Sequence, residues 1–114
     1  MPMPVSLPVY HLAGNQIITM YEILDLANAP RVSDELEGLV TNGREPAVVL
    51  DVRTSFLTST GVAVLEHAGA VAARRRRRLR VAARRPLARR VLALTGADQA
   101  LDVHPDLPSA LYRP

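Results

Sequence analysis

The chain has 114 residues and a mass of 12.4 kDa, enough for one core of ordinary size and too few for a multidomain machine; 48% of its residues are hydrophobic. Its formal charge of +3 hides a segregation: residues 74–90 carry ten arginines and no acid, the rest carries four arginines against all eleven acids, and lysine is absent. With no cysteine, disulfides, thiolate nucleophiles and zinc–thiolate sites are excluded.

The opening Met1-Pro2-Met3-Pro4-Val5 has neither the basic start nor the apolar stretch of a secretory signal. No stretch approaches the roughly eighteen apolar residues of a membrane span. A soluble, cytoplasmic chain is therefore expected. One phenylalanine, three tyrosines and no tryptophan leave Leu, Val, Ile and Ala to build the core.

Residues 5–12 mix apolar side chains with a proline, which suits an edge strand at most, and Ala13-Gly14-Asn15-Gln16 supplies a turn. Residues 17–21 have the β-branched and aromatic composition of a strand running on through Glu22-Ile23-Leu24-Asp25. Strand gives way to helix near Asn28. Asn28 is expected to accept a hydrogen bond from an early helical amide, Pro30 to occupy the first turn, and Asp34, Glu35 and Glu37 to place negative charge towards the positive end of the dipole. Val32, Leu36, Leu39 and Val40 form one apolar stripe. After a turn-rich break at 41–46, Ala47-Val48-Val49-Leu50-Asp51-Val52 reads as a central strand covered on both faces.

Gly61 opens a second helical pattern, with Val64, Leu65, Ala68, Val71 and Ala72 on one face, ending in the arginine run. Residues 79–83 read as a fourth strand. Pro86 starts a third helix with Leu87, Val91 and Leu94 at i, i+4 and i+7, and Gly96 stops it. Leu101-Asp102-Val103-His104 is a short strand, and residues 107–112 form one closing helical turn or two. The alternation of strands and helices implies an α/β fold with a mostly parallel sheet of four to five strands and about four helices packed against it.

The sequence from Ile17 onwards resembles the STAS-domain anti-sigma factor antagonists. The likeness is carried by Leu24-Asp25-Leu26-Ala27-Asn28-Ala29-Pro30, Val48-Val49-Leu50-Asp51-Val52 and Phe56-Leu57-Thr58-Ser59-Thr60-Gly61-Val62, and it continues through Arg89-Arg90-Val91-Leu92-Ala93-Leu94-Thr95-Gly96-Ala97-Asp98 and Val103-His104-Pro105-Asp106-Leu107. It spans roughly residues 5–112, which makes 1–114 a single STAS-like domain. The resemblance implies a protein that binds an anti-sigma factor of the serine/threonine kinase type and so frees the sigma factor. It implies phosphorylation at the position of Ser59, which blocks binding until a metal-dependent serine phosphatase removes the phosphate. Three departures stand out: Thr58 replaces the family's aspartate, Thr60 its second serine, and Glu22-Ile23 its Gly-Glu.

The implied partner-binding edge comprises Asp25, Asn28, Thr58, Ser59, Thr60, Gly61, Val62, Arg84 and Arg85. Several have a bland alternative. Ser59 lies in the loop before the second helix, and Ser59 or Thr60 would commonly just cap that helix, as Asn28 would the first. Asp51 would be a strand-end residue bonded to nearby amides. Within Arg74-Arg75-Arg76-Arg77-Arg78, the first arginines would sit on the negative end of the second helix and the next form a solvated turn. No aromatic residue interleaves the run to stack on bases, so sequence-specific nucleic-acid binding is the weaker reading, although nonspecific adhesion at low salt and attraction to an acidic partner are both consistent with it. His11, His67 and His104 lack the spacing of a metal site, and no nucleophile triad, phosphate-cradling glycine loop or carboxylate pair has supporting context. No cofactor, metal or enzymatic activity is expected. The runner-up within the same fold is a constitutive antagonist or scaffold that is not phosphorylated, suggested by Thr58.

Overall fold

The computed structural model describes residues 6–112. In chain order the elements are β1 (Val9–Leu12), β2 (Asn15–Met20), α1 (Ala29–Asn42), β3 (Ala47–Val52), α2 (Ser59–Arg74), β4 (Arg78–Ala83), α3 (Pro86–Leu94), a 3-10 turn (Ala97–Gln99), β5 (Asp102–His104) and α4 (Leu107–Leu111). The strands form one sheet in the order β1-β2-β3-β4-β5, antiparallel between β1 and β2 and parallel elsewhere. This is the expected α/β architecture, with five strands and four α-helices among the described residues.

Local chemistry accounts for most boundaries. The β1–β2 hairpin turns on Ala13 and Gly14, whose φ values of 52° and 76° are both positive, as the tightest hairpin connections require. Leu12 therefore pairs with Asn15, and β2 begins two residues before the expected Ile17 and ends at Met20 rather than running on to Asp25. Val5, placed by sequence in the edge strand, lies outside the described residues. All six residues of β3 are buried, as a continuous apolar run at the centre of a parallel sheet demands.

Alternation along the strands divides the core in two. Ile18, Met20, Val48, Leu50, Val52, Val81 and Ala83 face α1, α2 and α3, while Ile17, Val49 and Ala82 face α4. The second face is covered by a helix of only five residues, and it buries polar groups as well: Asn15, Thr19, Asp51, Arg80 and His104. Two helical expectations need correction. The first turn of α1 contains no acid, because Asp34, Glu35 and Glu37 fall beyond it. In α3, Ala88 and Leu92 point inward while Leu87 and Leu94 are 55% and 76% exposed; of the expected stripe only Val91 packs against the core.

Candidate functional site

The parallel strands end level with one another: Met20 pairs with Val52, and Val52 with Ala83. The loops that follow β2, β3 and β4 consequently emerge side by side on one edge, where open α/β sheets gather their ligands.

In the first loop, Asp25 and Asn28 tie a reciprocal knot. The Asp25 carboxylate accepts from the amides of Ala27 (2.8 Å) and Asn28 (2.9 Å), and Asn28 Oδ1 accepts from the Asp25 amide at 2.8 Å. Asn28 Nδ2 donates to the carbonyl of Ile23 at 3.1 Å. Asn28 thus stands at the N-cap position of α1 without capping it: its side chain is directed back into the loop, contrary to the sequence expectation.

The loop after β3 is stapled to the first through Thr58. Its hydroxyl donates to the Leu24 carbonyl at 2.6 Å and accepts from the Gly61 amide at 2.9 Å. Thr58 is therefore the N-cap of α2, a role assigned by sequence to Ser59 or Thr60. The helix begins two residues earlier than Gly61, and Ser59 is its first residue rather than part of the preceding loop. Ser59 is exposed, and its hydroxyl makes no side-chain hydrogen bond among the described residues. Thr60 is half-buried, whereas Gly61 and Val62 are buried and support the turn from beneath.

The same two loops expose apolar side chains that sequence reasoning did not single out as surface: Ile23, Leu26 and Phe56, with Leu26 86% exposed. Their signal was an apolar residue set in a short polar loop after a strand end.

Arg84 and Arg85 follow β4 on the same edge. With Tyr21, Arg53 and Pro86 they line a cleft of about 610 Å³, which adjoins a second of about 420 Å³ lined by Asp51, Arg53, Arg84, Asp106, Leu107 and Pro108. Asp51 is buried, and its carboxylate accepts from Arg53 Nε at 2.9 Å rather than from backbone amides as expected. That bond and the adjacent negative charge hold the Arg53 guanidinium above its ordinary pKa.

The arginine run lies near the opposite end of the sheet, and it is not uniformly solvated. Arg76 has a φ of 57°, and the amides of Arg76 and Arg77 donate back to the carbonyls of Ala73 (3.1 Å) and Ala72 (2.9 Å), closing α2 with a Schellman motif. This reversal sends Arg77 inward, where Nη1 donates to the Val40 carbonyl and Nε to the Glu45 carbonyl, each at 2.8 Å. Burial lowers its pKa from the ordinary arginine value. Arg80 is also buried and donates to the Ala110 carbonyl at 3.1 Å. Arg74, Arg75, Arg76 and Arg78 remain exposed.

The histidines stand apart, each beside a carboxylate. His11 Nδ1 lies 2.9 Å from Glu45, His67 Nε2 2.7 Å from Glu37, and the buried His104 Nε2 3.0 Å from Asp102, the last too poorly aligned to count as a hydrogen bond. Among the described residues no three His, Asp or Glu side chains converge as a metal site, and no helix is long and apolar enough to cross a membrane.

The family model described as Mlab, STAS domain, matches residues 11–107. The chain belongs to the STAS domain family. Among solved structures, this STAS chain is similar to an anti-sigma factor antagonist from Mycobacterium paratuberculosis, with 28% identity and a TM-score of 0.80 over 92% of this chain and 89% of that one. An anti-sigma-factor antagonist (STAS) domain protein from Planctomyces limnophilus matches at 17% identity and a TM-score of 0.79, covering 92% and 94%. The phosphorylated form of the Bacillus cell fate determinant SpoIIAA matches at 13% identity and a TM-score of 0.63, covering 94% and 97%; these two likenesses concern the fold. No match was found among the curated proteins.

Proposed function

We propose that this STAS domain is an anti-sigma factor antagonist: a non-enzymatic regulator that binds an anti-sigma factor of the serine/threonine kinase type and frees its sigma factor. Ser59 is the switch, phosphorylated by the kinase and reset by a serine phosphatase. The observation that carries this reading is the division of labour between Thr58 and Ser59. Thr58 spends both hydrogen-bonding capacities inside the fold, while Ser59 stands exposed on the first turn of α2 with no structural duty.

The physics of such a switch is local. A phosphate on Ser59 adds roughly −1.5 to −2 charges at the positive end of a helix, where anions are tolerated. The folded state need not change. Docking is what suffers, because a hydrated dianion on the edge that exposes Ile23, Leu26 and Phe56 must be stripped of water when a partner covers that edge. Asp25, Asn28 and Thr60 border this surface from the two stapled loops, Gly61 and Val62 shape it from below, and Arg84 and Arg85 extend it along the edge. Localisation in the cytoplasm is part of the same proposal.

Incubation with the cognate kinase and ATP, followed by mass spectrometry, is expected to find phosphate on Ser59; modification only elsewhere removes Ser59 from the role. Ser59→Asp is expected to weaken binding by about tenfold or more, a loss of about 1.4 kcal/mol. Unchanged affinity would count against electrostatic control. A second reading, favoured by the absence of a carboxylate at position 58, is constitutive antagonism. It predicts tight binding indifferent to kinase and phosphatase alike.

A further inference from the structure

The cleft beside Pro86 gathers positive charge that the fold neutralises only in part: Arg53 pairs with Asp51 and Arg84 lies in the field of Asp106, while Arg85 has no acidic partner among the described residues. Arg53 comes from the loop after β3, Arg84 and Arg85 from the loop after β4, and all three line one cavity of about 610 Å³. Two carboxylates stand in the adjoining cavity: Asp51 accepts from Arg53 Nε, and Asp106 accepts from the Ser109 amide at 2.8 Å and is attracted by the Arg84 guanidinium, so three arginines face two acids. The side chains of Arg84 and Arg85 have no hydrogen-bonded or ion-paired partner among the described residues.

Their position compounds the repulsion. Arg85 is the N-cap residue of α3, whose first turn contains no acid and whose early amides receive no side-chain cap. Two arginines therefore sit at the positive end of a helix dipole, the reverse of the favourable arrangement. The backbone that holds them there is braced rather than loose. Arg89 Nη1 donates to the carbonyls of Ala83 (2.8 Å), Arg84 (2.9 Å) and Pro105 (3.4 Å), so one guanidinium fixes the loop while its two neighbours are left to the cleft. Arg53 is oriented in the same way by the buried Asp51. Convergent guanidinium groups on fixed backbones, with helical amides beside them, match the oxygens of a dianion. Tyr21, 65% exposed at the cleft wall, and Pro86 offer an apolar surface for whatever carries it.

We propose that the cleft formed by Arg53, Arg84, Arg85 and the start of α3 is a binding site for a phosphate monoester. The ester comes either as a free small molecule or as a phosphorylated side chain of a partner; the anion chemistry is the same for both. The site goes beyond the antagonist reading and requires neither kinase nor anti-sigma factor.

The test is a titration of the full chain, followed by NMR of amide and arginine Nε–H signals, at ionic strength held constant with sodium chloride. The probes are inorganic phosphate, phenyl phosphate and a short phosphoserine peptide. Saturable shifts at Arg53 Nε–H, Arg85, Leu87 and Ala88 are expected. The double variant Arg84→Gln/Arg85→Gln, exposed at both positions and therefore expected to fold, should weaken binding by about tenfold or more. Phenyl phosphate binding tighter than the peptide identifies a small-molecule ligand; the reverse identifies a partner's side chain; either outcome supports the site. Shifts that never saturate, that sodium chloride reproduces, that survive in the double variant, or that map to Arg74, Arg75 and Arg76 instead would overturn it. Since the titration uses this chain alone, its failure is distinguishable from failure of the Ser59 experiment.

Discussion

At each end of the sheet a run of similar residues is split, one member drawn into the fold and its neighbours left outside. At the basic end, Arg77 is sealed against the carbonyls of Val40 and Glu45 while Arg74, Arg75, Arg76 and Arg78 face water. At the opposite end, Thr58 is bonded to Leu24 and Gly61 while Ser59 is free. The difference lies in what is left over. The arginines outside are a diffuse field, useful for attraction but salt-screened and undirected. The hydroxyl outside is a single exposed group on the edge that also exposes Ile23, Leu26 and Phe56. Structural service by one residue is what leaves the next one available.

The sharpest way to break this comparison is at Arg77. Replacing it with alanine leaves the buried Val40 carbonyl and the part-buried Glu45 carbonyl without this donor, and the expected loss of stability is about 1–3 kcal/mol, read from the midpoint of urea unfolding. Arg75→Ala, by contrast, should stay within about 0.5 kcal/mol. Equal effects would mean that the run is one solvated patch after all.

At the other end, Thr58→Ala is expected to cost about 1–2 kcal/mol through loss of the α2 cap and of the link to Leu24. Ser59→Ala should be close to neutral in the same unfolding assay. If Ser59→Ala proved the more damaging, the cap would belong to Ser59, and a phosphate there would disturb the fold as well as the partner.

A smaller effect of opposite sign is expected at Arg76, whose positive φ is unfavourable for a side chain bearing a Cβ. Arg76→Gly should raise stability by about 0.5–1 kcal/mol, seen as a higher midpoint with unchanged slope, because the Schellman motif then turns without strain.

The mildest perturbation is acid. Hydrogen bonding from the Ser109 amide holds the Asp106 carboxyl below the usual carboxylate range. A group depressed in this way stabilises the fold above its unfolded pKa, and that contribution is lost as pH falls through the folded one. The Ser109 amide resonance should therefore move on titration below the ordinary carboxylate range, and Asp106→Asn should abolish the movement. A midpoint at the ordinary value would show that the α4 cap is not formed.

Periodicity in the sequence was sufficient for the order of elements and for β3 and β4, whereas the bounds of β2 were missed at both ends. β3 falls on residues 47–52 because an uninterrupted apolar run has only one comfortable environment, the middle of a parallel sheet. The edge carrying the candidate site was also legible, since it follows from strand direction once the alternation is read. Three features were not. The stripe in α3 was assigned to Leu87, Val91 and Leu94, of which only Val91 packs against the core, because hydrophobicity alone cannot say that the inward face is the one carrying Ala88 and Leu92. The capping residues at both loops were misassigned, since Asn28, Thr58, Ser59 and Thr60 are all chemically competent to cap and only the approach of Leu24 and Gly61 selects Thr58. The fate of Arg77 was hidden within five identical letters.

Composition, charge segregation and hydrophobic period determined that this chain folds as alternating strands and helices with a STAS-like order, because these are properties of local spacing. Which hydroxyl is spent on the fold and which remains available, and which arginines converge on a cleft, were decided only by the tertiary structure. Hydrogen bonds and like-charge contacts between residues distant in sequence depend on where the backbone brings them, and no local pattern encodes that.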